Sequence, residues 1–311
     1  MTHAVLFITF AFCLLPIAAL RVSAGEPVLT GRAIFCLHQP PMRLALIGLK
    51  WTDGAQPARS ADQALAQGFA LDGRVVIIDG AQLRPALAGV GYDGSTNLTR
   101  EEARRLGSAM GCDFFIIGKA ETLTRSEREN QSHEETLIAL MIVDGRSGRL
   151  AVFDFISEKA TSREASFEGA VKTLATRAPV YVDRMLAFRA ARSRVQTPAS
   201  SADDPVEDVP EEGSARSIGF IPPEFLNRVK PEYTTEADRA GISATVEATA
   251  VFHRDGRVGE VEIIRWAGYG LDESAARAIR QLKFKPATRD GRAVSVRAVV
   301  RYNFRRVGSG Q

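Results

Sequence analysis

The stretch ATVEATAVFHRDGRVGEVEIIRW, residues 244–266, decides the fold of the C-terminal part of the chain. Apolar and polar residues alternate from Ala244 to His253, which is the period of a β-strand with one buried face. The residues Arg254-Asp255-Gly256-Arg257 supply a turn, and a second strand returns from Val258 to Trp266. This stretch therefore predicts a β-hairpin.

A helix and a further strand follow the hairpin. Leu271-Asp272-Glu273-Ser274 begins the helix, and Phe284-Lys285-Pro286-Ala287 ends it. Asp290-Gly291-Arg292 then turns into an alternating strand that runs from Val294 to Phe304. The inner stripe of the helix has apolar residues at helical spacing, namely Ala275, Ala278, Ile279 and Leu282. We expect residues 218–311 to form a small ββαβ domain.

The motifs of this segment resemble the TonB C-terminal domain over about 85 residues. Thr234 departs from the family pattern because a second proline is usual there, and Trp266–Tyr269 replaces a small Ser/Gly-rich segment. The matching motifs are Pro231-Glu232-Tyr233, Gly241-Ile242, Asp255-Gly256-Arg257-Val258, Leu271-Asp272 with Ala275 and Ala278-Ile279, Phe284 with Pro286-Ala287, Asp290-Gly291-Arg292 with Val294, and Asn303-Phe304.

The resemblance implies a partner, because TonB-type domains pair with a short extended segment of outer-membrane receptors. Three strands on one helix leave the last strand with unpaired backbone groups that can receive such a segment. Arginines along the strand favour an acidic peptide or guard the edge against aggregation, and both readings stay open. The arginines are Arg292, Arg297, Arg301, Arg305 and Arg306. The candidate binding residues are Val294, Val296, Arg297, Ala298, Val300, Arg301, Tyr302 and Phe304.

Residues 25–189 alternate strands and helices and predict a mixed α/β domain, so the whole chain is expected to be an α+β protein of two domains. Three stretches of the sequence resemble the α/β domain shared by CsgG-type proteins and the N-terminal domain of TolB-like proteins. They are Gly73–Leu83, Glu101–Gly107 with Gly111–Gly118, and Ile142–Gly148. This resemblance implies a fold and a compartment more than an activity.

A linker is predicted between the two domains. Residues 190–217 are rich in Pro, Ser and acidic side chains, and they have too few apolar residues to offset the entropy of ordering. We expect an acidic flexible linker there.

The N-terminus has the pattern of an export signal. An apolar run from Ala4 to Leu20 precedes Val22-Ser23-Ala24, which predicts a signal peptide over residues 1–24, and an uncleaved membrane anchor is the alternative. Export predicts a periplasmic protein in which Cys36 and Cys112 either pair as a disulfide or stay as buried thiols.

Composition and motifs point away from several function classes. The net charge is +3, and the basic C-terminal residues lack the interleaved aromatics of a nucleic-acid platform. No metal-ligand spacing, nucleophile and base pair or cofactor motif stands out, so we expect no enzyme, metal or cofactor. The expected function is binding of an outer-membrane receptor or another envelope protein by β-strand addition, with energy transduction for TonB-dependent transport left open. The alternative is an envelope assembly adaptor whose N-terminal domain forms a homo-oligomer.

Overall fold

The computed structural model describes residues 40–52, 55–126, 132–194 and 205–306. From Pro41 onward these residues belong to one contact unit, which contains a five-stranded and a six-stranded sheet. We call the residues up to 194 the α/β half and those from 205 the C-terminal half.

The α/β half is built from five strands and five helices. In chain order they are β1 (Met42–Trp51), α1 (Ala55–Ala70), β2 (Val75–Ile77), α2 (Gly80–Gly89), α3 (Arg100–Met110), β3 (Phe114–Ser126), β4 (Ser132–Asp144), β5 (Leu150–Ala160), α4 (Arg163–Thr176) and α5 (Ala178–Arg194). The strand order is β2-β1-β3-β4-β5. β2, β1 and β3 are parallel, whereas β3, β4 and β5 form an antiparallel meander.

Local sequence signals account for the ends of several elements. The Thr99 hydroxyl accepts the Glu102 backbone N–H (3.2 Å), and the Glu102 carboxylate accepts the Thr99 N–H (2.7 Å), so a capping box begins α3. Gly111 ends that helix with φ 60°, a left-handed conformation that glycine adopts without steric cost. Pro179 lies in the first turn of α5, where proline needs no hydrogen-bond partner, so a new helix begins here after α4.

Both faces of the α/β sheet are covered. Helices α1, α4 and α5 cover one face, where Phe69, Leu174 and Tyr181 are almost fully buried. Helix α3 covers part of the second face, and residues of the C-terminal half cover much of the rest. A sheet covered on both faces has strands that are continuous apolar runs, as Phe114–Ile117 and Leu137–Val143 are. The second face therefore depends on the C-terminal half for its burial.

The C-terminal half contains a hairpin, a helix and a long last strand, with short strands added before them. In chain order its elements are β6 (Val206–Asp208), β7 (Phe220–Ile221), β8 (Glu224–Phe225), α6 (Thr235–Arg239), β9 (Ala244–Phe252), β10 (Val258–Arg265), α7 (Leu271–Arg280), β11 (Phe284–Lys285), β12 (Ala287–Arg289) and β13 (Arg292–Phe304). The main strand order is β10-β9-β13-β12-β7, β6 pairs with β13, and β8 pairs with β11.

The core of this half lies between the sheet and α7. Ile279 of α7 packs on Phe252, Phe284 and Val296, all of which are at most 6% exposed. The rings of Phe252 and Phe284 meet edge to face with centroids 4.9 Å apart. The predicted hairpin, helix and last strand are present in the predicted order, and the α+β class is confirmed.

The segment predicted as a flexible linker is structured at both ends. Helix α5 continues to Arg194, and residues 206–208 form β6 on the edge of β13. A 3-10 turn at Ala215–Ser217 then leads into β7. Composition did not reveal this order because a three-residue strand gains its hydrogen bonds from a distant edge and not from local apolar residues. Residues 195–204 lie outside the described ranges.

Candidate partner-binding edge

β13 is the strand on which the candidate binding residues lie. From Val296 to Phe304 it pairs antiparallel with β9, without a break in register. Side chains therefore alternate between the α7 side, which holds Ala298, Val300 and Tyr302, and the opposite face, where Val299 is 59% exposed. The three residues on the α7 side are only half-buried, so the apolar face of β13 is incompletely covered there.

The second edge of β13, opposite β9, carries the backbone groups of alternate residues. The Arg297 carbonyl accepts the Val209 N–H (3.2 Å) on that side. Thr245, which lies opposite Asn303, gives its backbone N–H and C=O to the Asn97 side chain, so Asn303 is not bonded to it. Since backbone groups point alternately to the two neighbours, Val299, Arg301 and Asn303 also point theirs to the second edge.

Only the first part of this edge is covered within the described residues. β12 pairs with residues 292–294, and β6 pairs with residues 295–297. No strand of the described ranges pairs with the remainder, Ala298–Phe304, which we call the open half. The sequence predicted a bare edge along the whole strand, and this is wrong for Val294, Val296 and Arg297, because short strands on either side of the matched hairpin and helix reach β13.

Several arginines of the strand are already paired within the molecule. Arg301 bonds the nearly buried Glu247 carboxylate at 2.6 and 2.7 Å. Arg297 lies 3.4 Å from Asp208, and Arg306 lies 3.5 Å from Asp238. The positive charge that the edge offers to a partner is therefore smaller than the number of arginines suggests.

A joint between the two halves lies around the loop Trp266–Tyr269. Trp266 is 2% exposed and donates its indole N–H to the Gly148 carbonyl of the α/β half (3.2 Å). The Tyr269 ring packs on Phe153 and Phe155 of β5, with centroids 4.9 and 5.6 Å apart. Tyr269 adopts φ 55°, which is uncommon for a bulky residue and is held here by tertiary packing.

Polar contacts complete the joint. The Asn97 amide donates to the carbonyls of Thr245 (2.9 Å) and Trp266 (2.7 Å) and accepts the Thr245 N–H (3.1 Å). The Arg239 guanidinium lies 2.8 Å from Glu135, whose side chain is 2% exposed. Burial opposes ionisation of Glu135, but the Ser157 hydroxyl and the arginines outweigh it and hold its pKa below the usual value.

The loop at the joint is held by a buried carboxyl group. Asp272 accepts the backbone N–H groups of Ala267 (2.8 Å) and Gly268 (3.0 Å). Burial raises the pKa of Asp272 to about 7, although both hydrogen bonds favour the ionised form. Thr234 donates its hydroxyl to the Tyr269 carbonyl (2.5 Å), so both departures from the family pattern meet at this joint. The joint was not predicted from the sequence. The signal that indicates it is the aromatic pair Trp266 and Tyr269 in a turn that contains glycine.

The predictions about the cysteines and the signal peptide concern segments that the structure describes only in part. The Cys112 thiol is buried 3.7 Å from the Gly107 carbonyl, and burial raises its pKa to about 12. Its candidate disulfide partner Cys36 and the predicted signal peptide 1–24 lie outside the described residues. Among the helices of the described ranges, none combines the length and the hydropathy that crossing a membrane requires.

Comparisons with known proteins give a family match and several matches to solved structures. Residues 229–305 match the family model described as Gram-negative bacterial TonB protein C-terminal. The solved TonB C-terminal domain of Pseudomonas aeruginosa is 20% identical, with 29% of this chain and 90% of that chain covered and a TM-score of 0.25. The LpoB C-terminal domain of Salmonella enterica is 16% identical, with coverages of 39% and 84% and a TM-score of 0.28.

Another structural match covers a larger share of the chain. The hypothetical protein CT253 of Chlamydia trachomatis is 10% identical, with 46% of this chain and 98% of that chain covered and a TM-score of 0.34. No curated protein matches the sequence. The family match confirms the resemblance seen in the motifs and indicates a protein-interaction role in the bacterial envelope. Residues 229–305 are thus a TonB-family C-terminal domain, which in this chain is docked on an α/β half.

Proposed function

We propose that this protein binds an extended segment of an outer-membrane receptor, or of another envelope protein, by adding it as a strand to the open half of β13. One observation carries the proposal: the backbone groups of Val299, Arg301 and Asn303 point away from β9, and no described strand pairs with them. An unpaired edge of this kind is a template for an added strand. The family match supports the same role.

The side chains beside the open half determine which side chains a partner strand needs. A strand added there places alternate side chains next to half-buried Ala298, Val300 and Tyr302, which favours apolar residues at every second position. On the other face its side chains lie near exposed Val299 and near Arg301, whose charge Glu247 already balances. Backbone pairing and apolar contacts therefore contribute more than charge does.

A substitution at Val299 tests strand addition. Val299→Pro removes one N–H from the open half and leaves the bonds to β9 intact, because proline is tolerated where the N–H faces away from the sheet. Val299→Ala keeps that N–H and is the matched control. A photo-crosslinking residue in place of exposed Asn303 should capture an envelope partner in the parent chain and in Val299→Ala, but not in Val299→Pro.

A second crosslinking position separates specific capture from adhesion. Val180 is 49% exposed on α5, and a crosslinker there should not capture the same partner. Equal capture by the Val299→Pro and Val299→Ala chains would refute strand addition. Substituting Val300 is a poorer test, because its backbone N–H points to β9 and a proline there breaks the sheet itself.

Binding is better supported than energy transduction. A force-transmitting transducer of this family has a long spacer before its terminal domain, whereas here the domain packs against an α/β half through Trp266 and Tyr269. We place the protein in the periplasm on the basis of the family match and the export pattern. The mass of the mature N-terminus tests this: cleavage after Ala24 removes the apolar run that is the candidate inner-membrane anchor, and an intact N-terminus favours anchoring.

An assembly adaptor remains the second candidate. β5 forms one end of the α/β sheet, and within the described ranges it pairs only with β4 along its 11 residues. Such an edge can join copies of the chain into an oligomer. Light scattering on the full chain measures this, and a monomer at all concentrations contradicts the adaptor. The full chain is required because separating the halves uncovers the apolar second face of the α/β sheet.

A further inference from the structure

A second part of the β13 edge is occupied by the chain itself. β6 pairs parallel with β13 in the register Val206 to Ser295, Glu207 to Val296 and Asp208 to Arg297. Pro205 and Pro210 flank this short strand, and proline cannot donate to a strand ladder. The pairing is therefore confined to a few residues.

Two acidic side chains of β6 face arginines of the neighbouring strands. Glu207 accepts from the Arg289 guanidinium at 2.9 and 2.7 Å, and Asp208 lies 3.4 Å from that of Arg297. Arg289 is itself held in place, because it donates to the Arg216 carbonyl (3.0 Å) and lies over the Phe220 ring at 5.2 Å. Arg289 and Arg297 thus form a prearranged binding site for carboxylates next to the open half of β13.

The contacts of β6 are suited to exchange. The strand is three residues long, and short strands gain little on their own. Its ion pairs are partly exposed, Asp208 by 80%, and exposed pairs contribute little to stability. β6 also precedes the family-matched range, which starts at residue 229, so it is an addition to the TonB-family domain.

We propose that residues 295–297, together with Arg289, form a subsite for an acidic extended strand, which β6 fills until a partner strand displaces it. The proposal deepens the proposed function, because the subsite continues the open half along the same edge. A partner confined to Ala298–Phe304 leaves β6 in place. A longer partner must displace β6 and is favoured when it brings carboxylates to Arg289 and Arg297.

Tethering gives β6 an advantage over a free segment of the same sequence. A linked segment is present at an effective concentration on the order of millimolar, so it excludes a free copy until that concentration is approached. Weakening β6 should therefore expose the subsite to the free segment. This consequence can be measured without knowing the natural partner.

The test is a titration of the full chain with a synthetic peptide of its own residues 203–212, followed by NMR of the backbone amides. In Glu207→Lys/Asp208→Lys the tethered strand loses both ion pairs. The peptide should then shift the amides of residues 295–297 and bind ~10-fold more tightly than to the parent chain. Glu211→Lys/Glu212→Lys makes the same change of net charge outside β6 and should behave like the parent.

A second variant weakens the pairing of β6 without changing the net charge. Val209→Pro deletes the N–H that Arg297 accepts, and it should also increase peptide binding. The proposal is overturned if the peptide shifts no amide of residues 295–297 in either weakened variant, or if it binds the parent equally well. Val299→Pro should leave this titration unchanged, so failure of the subsite and failure of binding at the open half are distinguishable.

Discussion

Replacing Tyr269 by alanine should separate the two halves of the molecule before either half unfolds. The ring is 4% exposed and packs against Phe153 and Phe155 of the other half. Truncating a buried aromatic residue costs ~3–5 kcal/mol. Alanine does not relieve the left-handed backbone at this position, so we expect nearly the full loss to fall on the docking of the halves.

Trp266 reports this separation directly. It is buried at the joint, and the chain has only one other tryptophan, Trp51. In a Trp51→Phe background, urea should redden the Trp266 emission and abolish the far-UV circular dichroism in a single transition. With Tyr269→Ala added, the emission should change at a lower urea concentration than the circular dichroism does.

Phe284→Ala is the matched control. Phe284 is 6% exposed and contacts the Phe252 ring inside the C-terminal half, so its truncation weakens that half without touching the joint. Both signals should then move together to lower urea. If Tyr269→Ala also moves both signals together, or shifts neither, Tyr269 does not hold the halves together and the reasoning is wrong.

Three further predictions concern stability. Asp272 has a pKa of about 7 in the folded chain, whereas an unfolded aspartate ionises near pH 4. The free energy of unfolding should therefore fall by ~2–4 kcal/mol as pH rises from about 4 to about 7. Asp272→Asn should remove this fall in urea titrations. Gly107→Ala places a Cβ 2.3 Å from the Gly145 carbonyl oxygen and should lower the thermal midpoint, whereas Gly89→Ala meets no atom within 4 Å and should not. Thr99→Ala should cost ~1 kcal/mol in urea unfolding, and Thr99→Ser should restore most of it.

The elements that the sequence predicted are those whose signals are local. The hairpin at 244–265 follows from period-two alternation around a turn, and the start of α3 follows from one capping box. Both depend on residues that are neighbours in the chain. The last strand was predicted for the same reason, with its start at Val294 against the observed Arg292.

The occupation of the edge by β6 could not be predicted in this way. Its three residues lie between prolines in an acidic segment, and nothing in their order distinguishes a strand from a linker. The strand exists because β13, nearly ninety residues later, offers unpaired backbone groups, and because Arg289 of β12 and Arg297 of β13 face its acidic side chains. Only the three-dimensional arrangement brings these together.

The joint and the proposed binding edge belong to one sheet, and Phe304 at the end of β13 lies in the same core cluster as Trp266 and Tyr269. Asn97 and Trp266 bond the ends of β9 and β10 to the α/β half. The open half is the edge of β13 that faces away from β9. Because β13 pairs with β9 over nine residue pairs without a break in register, a strand added at Val299–Asn303 is linked to the joint through a continuous ladder. The departures at Thr234 and Trp266–Tyr269 lie at the joint. We infer that these departures adapt the domain to its docking on the α/β half, and that recognition of the proposed partner depends on β13.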